Sequence, residues 1–133
     1  MSPNSDLTSD RIKGLGIDLA YIPWMTKLVE RCDRETLTLL FTSREIERCQ
    51  SSSYPHRDFT VCFAAKEAVA KALGTGIAED IEWHEIEANL TKHRLTIRLH
   101  GKADIQAKRA MMRLWIATWW HWDEHVLVHA LAI

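Results

Sequence analysis

Between Phe63 and Gly76 the chain reads FAAKEAVAKALGTG, an alanine-rich stretch that sets Lys66, Glu67 and Lys71 ahead of a Gly74-Thr75-Gly76 turn. A carboxylate, an ammonium group and a glycine turn with exposed N–H groups are the parts that hold a metal and phosphates. A second carboxylate, Asp18, lies in GLGIDLAYI. There Gly14, Gly16, Asp18 and Ala20 fall on one face of an alternating strand, and Leu15, Ile17, Leu19 and Tyr21 on the other. The small residues predict space above the sheet for something to approach Asp18. Together these groups point to a magnesium-pyrophosphate site. A plainer account fits the same residues. Lys66 snorkels from an apolar arc of Phe59, Cys62, Phe63, Val69, Ala70 and Leu73, and Asp18 caps a neighbour at a strand end. Glu67 and Lys71 then form a surface pair worth about 0.2–0.5 kcal/mol.

The elements that must position these groups follow from periodicity. After the strand, Pro23 suits a first helical turn, and Trp24 to Arg34 carries Met25, Leu28, Val29 and Cys32 as an apolar stripe. Lys27, Arg31 and Arg34 recur at helical spacing on another face, and solvation alone would explain them. Thr42 and Glu45 predict a capping box for a helix over about Ser43 to Gln50. SSSYPHRD, Ser51 to Asp58, reads as a loop, with Asp58 the N-cap of a helix to Leu73 and Gly74 its left-handed end. Ile81 to Leu90 and His93 to Gly101 form an antiparallel hairpin, and a helix follows from Ala103 to Trp115. WIATWWHW and HVLVHALAI are the final strands, with a turn at Asp123 and Glu124. The order predicts an α+β fold, a mostly antiparallel sheet with helices packed on one side.

Composition narrows the classes. The chain has 133 residues, 47% hydrophobic and 26% charged, which suits one soluble domain over 13–133 behind a polar, disordered lead over 1–12. A formal charge of -1 argues against a nucleic-acid binder, which needs a basic face. No run of about 18 apolar residues suggests a membrane span. Cys32, Cys49 and Cys62 are odd in number and lie apart, predicting reduced thiols and a cytoplasmic setting. His121, His125 and His129 recur every four residues, yet a strand-turn-strand would not stack them as metal ligands.

GLGIDLAYI, FTSRE, FAAKEAVAKALGTGI and HWDEHVLVHALAI, in this order, resemble the holo-acyl-carrier-protein synthases, the small 4'-phosphopantetheinyl transferases. The resemblance spans about residues 13 to 133. It implies an enzyme of fatty-acid and related lipid metabolism that moves 4'-phosphopantetheine from coenzyme A to a serine of an acyl carrier protein, releasing adenosine 3',5'-bisphosphate. It also implies a homotrimer with active sites between subunits. By resemblance, Asp18 and Glu67 hold Mg2+ on the coenzyme A pyrophosphate and Lys71 pairs with phosphate. Lys66, Gly74, Thr75, Gly76 and His121 match nucleotide-binding positions, His121 near the 3'-phosphate. The first helix, with Lys27, Arg31 and Arg34, matches the carrier-docking helix. The carrier supplies the serine nucleophile, and Glu67 is the preferred acceptor of its proton.

Three departures from the pattern stand out. Cys62 replaces an arginine expected at the 3'-phosphate, leaving that contact to His121 or Arg57. Thr91, Lys92 and His93 replace a Gly-Lys-Pro hairpin. Trp115, Trp119, Trp120 and Trp122 form an unusual cluster, suited to a subunit interface or a core. The alternative implied by these departures is a non-catalytic relative that binds coenzyme A or the carrier.

Overall fold

The computed structural model describes residues 11–74, 81–92 and 94–133. The polar lead over 1–10, residues 75–76 of the glycine turn and residue 93 lie outside them. Strand β1 (Gly14–Tyr21) runs directly into α1 (Ile22–Arg31), whose first turn accepts Pro23 because its N–H would have no helical partner. The expected continuation to Arg34 does not occur. Cys32 is extended, and Asp33 caps a separate helix, α2 (Arg34–Leu37), by accepting from the Thr36 N–H at 2.8 Å. Helix α3 (Ser43–Gln50) opens on the capping box, with Thr42 and Glu45 each accepting from the other's N–H.

Helix α4 (Pro55–Leu73) starts at Pro55, so the second half of the expected serine loop is helical. Asp58 is therefore not its N-cap. It sits in the first turn, accepting from the Ser52 hydroxyl and pairing with Arg57 at 3.0 Å. At the other end Gly74 adopts φ 78°, the left-handed cap that its lack of a Cβ permits. A single 3-10 turn at Trp83–Glu85 precedes β2 (Ile86–Leu90), β3 (Leu95–Leu99), α5 (Gly101–Arg109), β4 (Trp115–Trp122) and β5 (His125–Ala132). The expected helix to Trp115 ends early, and Met111 takes a positive φ of 60° beyond it.

The five strands lie in the order β1-β5-β4-β3-β2, antiparallel at every pairing. The β4–β5 turn places Asp123 and Glu124 at φ 46° and 61°, the left-handed pair that a tight two-residue hairpin requires. Between β3 and β4 the register, among the described residues, is Leu95 against Ala117. This helix is buried around most of its girth, including Val61, Ala64, Ala65, Ala68 and Ala72 outside the expected apolar arc. Alanine is the reason: short side chains let sheet and helices close in from several sides.

The glycine face of β1 is closed at Gly14 and Gly16, and the expected room for a ligand is confined to its far end, where Asp18 and Ala20 line a groove. A Cβ at Gly16 would lie 1.7 Å from the Ala68 carbonyl oxygen, and one at Gly14 2.4 Å from that of Ala72. The backbone of α4 occupies the space. The larger face of the strand points the other way, with Leu15, Ile17, Leu19 and Tyr21 each roughly half exposed. Register puts Leu127 and Leu131 of β5, and Ile116, Trp120 and Trp122 of β4, on that same face, together with His125, His129 and Thr118. The tryptophan cluster is thus divided: Trp115 and Trp119 pack against the core, while Trp120 and Trp122 are on the open side.

Candidate active site

Close packing of β1 on α4 has a direct consequence for the charged residues. Gly14 lies against Ala72 and Gly16 against Ala68, so β1 runs toward the start of α4, and the long side chain of Lys71 reaches back along the helix to the next residue on that strand face, Asp18. Lys71 Nζ donates to Asp18 Oδ1 at 3.0 Å and to the Ile17 carbonyl at 2.9 Å. The expected Glu67–Lys71 pair does not form; among the described residues the carboxylate partner of Lys71 is Asp18. Two acceptors held by the strand outcompete an exposed helical pair worth a few tenths of a kcal/mol, roughly.

Glu67 faces the same groove, a concavity of about 330 Å³ that it shares with Asp18, Tyr21, Trp24 and Phe63. Loss of water pushes the Asp18 carboxyl above the ordinary range, against the opposing hydrogen bond and charge of Lys71. The Glu67 carboxyl is raised first by loss of water and then by the Asp18 charge, with Lys71 again opposing. Two carboxylates share one lysine, so the groove is short of positive charge. Its far wall is aromatic: Trp24 lies 5.6 Å from Phe63, which stacks on Trp83 at 4.8 Å with an 18° tilt. Sequence reasoning missed this wall. Its available signal was Trp24 spaced three and seven residues ahead of Lys27 and Arg31 on one helical face.

Lys66 does not reach the surface. It is 0% exposed, and its ammonium donates to Glu45 Oε1 at 2.7 Å, to the Trp83 carbonyl at 3.1 Å and to the Ile86 carbonyl. Its three protons are spent, so the expected nucleotide contact has no donor left to make it. Gly74 stands at the end of α4, as expected. His121 is exposed, stacked at 5.6 Å on Trp119, and β5 separates its strand from β1 and Asp18. It is therefore not gathered with the carboxylates within one chain. Lys27 and Arg31 are exposed on α1, but Arg34 has moved to α2 and stands 4.0 Å from Glu47.

Cys62, at the position of the expected arginine, is 2% exposed, with its Sγ 3.9 Å from that of Cys49. The hydrogen bond with the Cys49 thiol, and then burial, push Cys62 well up in pKa, so it offers no charge to a ligand. Arg57 lies elsewhere, with its guanidinium 4.4 Å from the Tyr54 ring and 5.2 Å from that of Trp119. With Arg48 and Lys92 it lines a second cavity of about 630 Å³.

This fold and these groups have relatives. The family model of the 4'-phosphopantetheinyl transferase superfamily matches residues 14–127. The chain belongs to that superfamily. A holo-[acyl-carrier-protein] synthase of Geobacter sulfurreducens is 39% identical over 93 residues, covering 69% of this chain and 74% of that protein. One from Chlamydia trachomatis serovar L2 is 45% identical over 74 residues, or 56% of this chain and 62% of that one. Among solved structures, the holo-[acyl-carrier-protein] synthase of Neisseria meningitidis superposes with a TM-score of 0.79 at 22% identity, over 92% of this chain and 98% of that chain. The Helicobacter pylori synthase, solved in complex with coenzyme A, gives 0.75 at 22% identity over 90% and 99%. These structural likenesses carry the fold.

Proposed function

We propose that this enzyme transfers 4'-phosphopantetheine from coenzyme A to a serine of an apo acyl carrier protein, releasing adenosine 3',5'-bisphosphate. The observation that carries the reading is the meeting of Asp18, Glu67 and Lys71 in one groove, from a strand and a helix far apart in sequence. Relatives named as holo-acyl-carrier-protein synthases supply the reaction.

The donor set fits magnesium. No group of three or more metal-ligating side chains stands among the described residues. Two hard carboxylate oxygen donors facing one groove suit an ion that prefers one or two carboxylates with substrate phosphate and water. When bound, Mg2+ would neutralise charge on the pyrophosphate. Asp18 and Glu67 would hold it, and Lys71 sets the orientation of Asp18 and adds a cation for a phosphate oxygen. Glu67 takes the proton of the carrier serine, a task helped by its raised pKa. The serine oxygen forms the new P–O bond as the pyrophosphate P–O bond breaks, its electron pair leaving on adenosine 3',5'-bisphosphate. Positioning and charge account for most of such catalysis.

The open face of β1, β5 and β4 carries no Asp, Glu, Lys or Arg at its paired positions, its polar side chains there being Tyr21, Thr118, His125 and His129, and it is suited to association. We assign it to a homotrimer, with sites completed between subunits. Arg57, Arg48 and Lys92 then replace the expected arginine in receiving the 3'-phosphate end of coenzyme A. Lys27 and Arg31 meet the acidic carrier, with Arg34 at the margin. No helix among the described residues is long and apolar enough to cross a membrane, and the cytoplasm is the compartment we assign. The experiment is to incubate the protein with Mg2+, coenzyme A and an apo carrier and measure the carrier's mass. A gain of one phosphopantetheine is expected; no gain with any carrier would overturn the reading.

A further inference from the structure

Lys66 is a fully buried charge that the transfer chemistry does not use, yet it is tied at every proton. Its partner is as fully engaged. Glu45 accepts from the Thr42 N–H at Oε1 and from the Ala88 N–H at Oε2, both at 2.8 Å, besides the ammonium at 2.7 Å. Phe41 adds its ring face 5.7 Å from the ammonium. Buried ion pairs of this kind contribute little net stability over an apolar replacement, so their value lies in what they hold in place.

One of the Lys66 bonds leads toward the active groove. It grips the Trp83 carbonyl, and Trp83 opens the short turn ahead of β2. The Trp83 ring stacks on Phe63, and Phe63 meets Trp24. Phe63 and Trp24 form the aromatic wall opposite Asp18 and Glu67. Trp24 also shares its helical face with Lys27 and Arg31, at spacings of three and seven residues. An aromatic anchor flanked by cations, ending at the reacting carboxylates, suits an acidic protein that must deliver a serine there.

We propose that Lys66, with Glu45, is a positioning residue: by fixing the Trp83 turn it sets the Trp83–Phe63–Trp24 stack as the wall that seats the acidic carrier. This rests on the transferase reading above. Both side chains of the pair are buried, and neither lines the groove of Asp18 and Glu67.

Three variants test it: Trp83→Leu, the double variant Glu45→Met/Lys66→Met, and all three changes together. Trp83→Leu keeps the ion pair, because Lys66 binds a backbone carbonyl. It should raise both the KM for apo carrier and the carrier's Kd, measured without coenzyme A, by roughly three- to tenfold, the scale of one aromatic pair. Coenzyme A affinity, read by calorimetry, should stay at the wild-type value. The double variant replaces the pair with apolar side chains and should show the same split. In the triple variant the effects should not multiply, since both act through one stack. An unchanged carrier Kd in Trp83→Leu overturns the proposal, whether or not the double variant folds. So does a multiplied effect in the triple variant, or a matching loss of coenzyme A affinity. Because carrier binding is read without turnover, a wild-type protein that binds carrier but transfers nothing refutes the transferase reading and not this one.

Discussion

Gly16→Ala tests the contact on which the candidate site depends. The new Cβ would stand 1.7 Å from the Ala68 carbonyl oxygen, 2.7 Å from its carbon and 3.0 Å from the Ala72 nitrogen. All three are backbone atoms, so no side-chain rotation relieves the clash. Restoring an ordinary contact of about 3.2–3.5 Å requires β1 and α4 to part by roughly 1.5 Å. Overpacking of this kind costs about 1–3 kcal/mol, and the upper end applies where the obstacle is helix backbone. The functional loss should be larger. Asp18 is two residues beyond Gly16 on the same strand face, and its bond to Lys71 is 3.0 Å long. Displacement of about 1 Å at a reacting centre can cost a hundredfold in rate. The variant should therefore remain folded, melt several degrees lower and lose about two orders of magnitude in kcat, read as carrier mass gained against time. Gly14→Ala meets its nearest backbone atom at 2.4 Å and a flexible Met112 methyl at 3.0 Å, so it should fall between. Wild-type melting and wild-type kcat in Gly16→Ala would refute the claim that this contact sets the site.

Other consequences are open to measurement. Both site carboxyls titrate above their unfolded values, so the metal-free native protein holds protons that the unfolded chain has released; its stability should fall as pH rises through those native pKa values. Glu67→Gln should lessen that fall in pH-dependent melts and abolish transfer, and Mg2+ should raise the melting temperature of the wild type but hardly that of the variant. A wild-type response to Mg2+ in Glu67→Gln would count against the metal assignment. Lys27→Glu with Arg31→Glu should raise the KM for carrier and spare that for coenzyme A; the reverse pattern would remove α1 from docking. Arg57→Ala should do the opposite, weakening coenzyme A by roughly tenfold for one charge-assisted phosphate contact, with desphospho-coenzyme A affected little. Equal losses for both nucleotides would move the 3'-phosphate away from that cavity.

Local signals in the sequence translated well into structure. The Thr42–Glu45 capping box, the Gly74 cap and the Asp123–Glu124 turn each depend on residues within a few positions of one another, and each formed where expected. At the site, what failed depended on partners distant in the chain. Glycines in β1 signalled room, but room for a helix backbone is indistinguishable, in one strand, from room for a ligand. Lys66 looked like a snorkelling surface charge because its acceptors, Glu45 and the carbonyls of residues 83 and 86, lie about 20 residues away on either side. Lys71 likewise chose Asp18, 53 residues earlier, over Glu67 one turn back. The α1 boundary failed for a nearer reason: Asp33 is a better cap than helix interior, and it divided Arg34 from Lys27 and Arg31.

The lysines of α4 have a consequence beyond the site. β1 and β2 are the two edges of the sheet, where unpaired backbone groups would ordinarily invite another strand. On the β2 edge Lys66 binds the Ile86 carbonyl and Glu45 the Ala88 N–H; on β1, Lys71 binds the Ile17 carbonyl. A single helix thus reaches both margins of the sheet and occupies a backbone carbonyl at each. Bonds of this kind at an edge oppose the strand-by-strand growth that leads to aggregation.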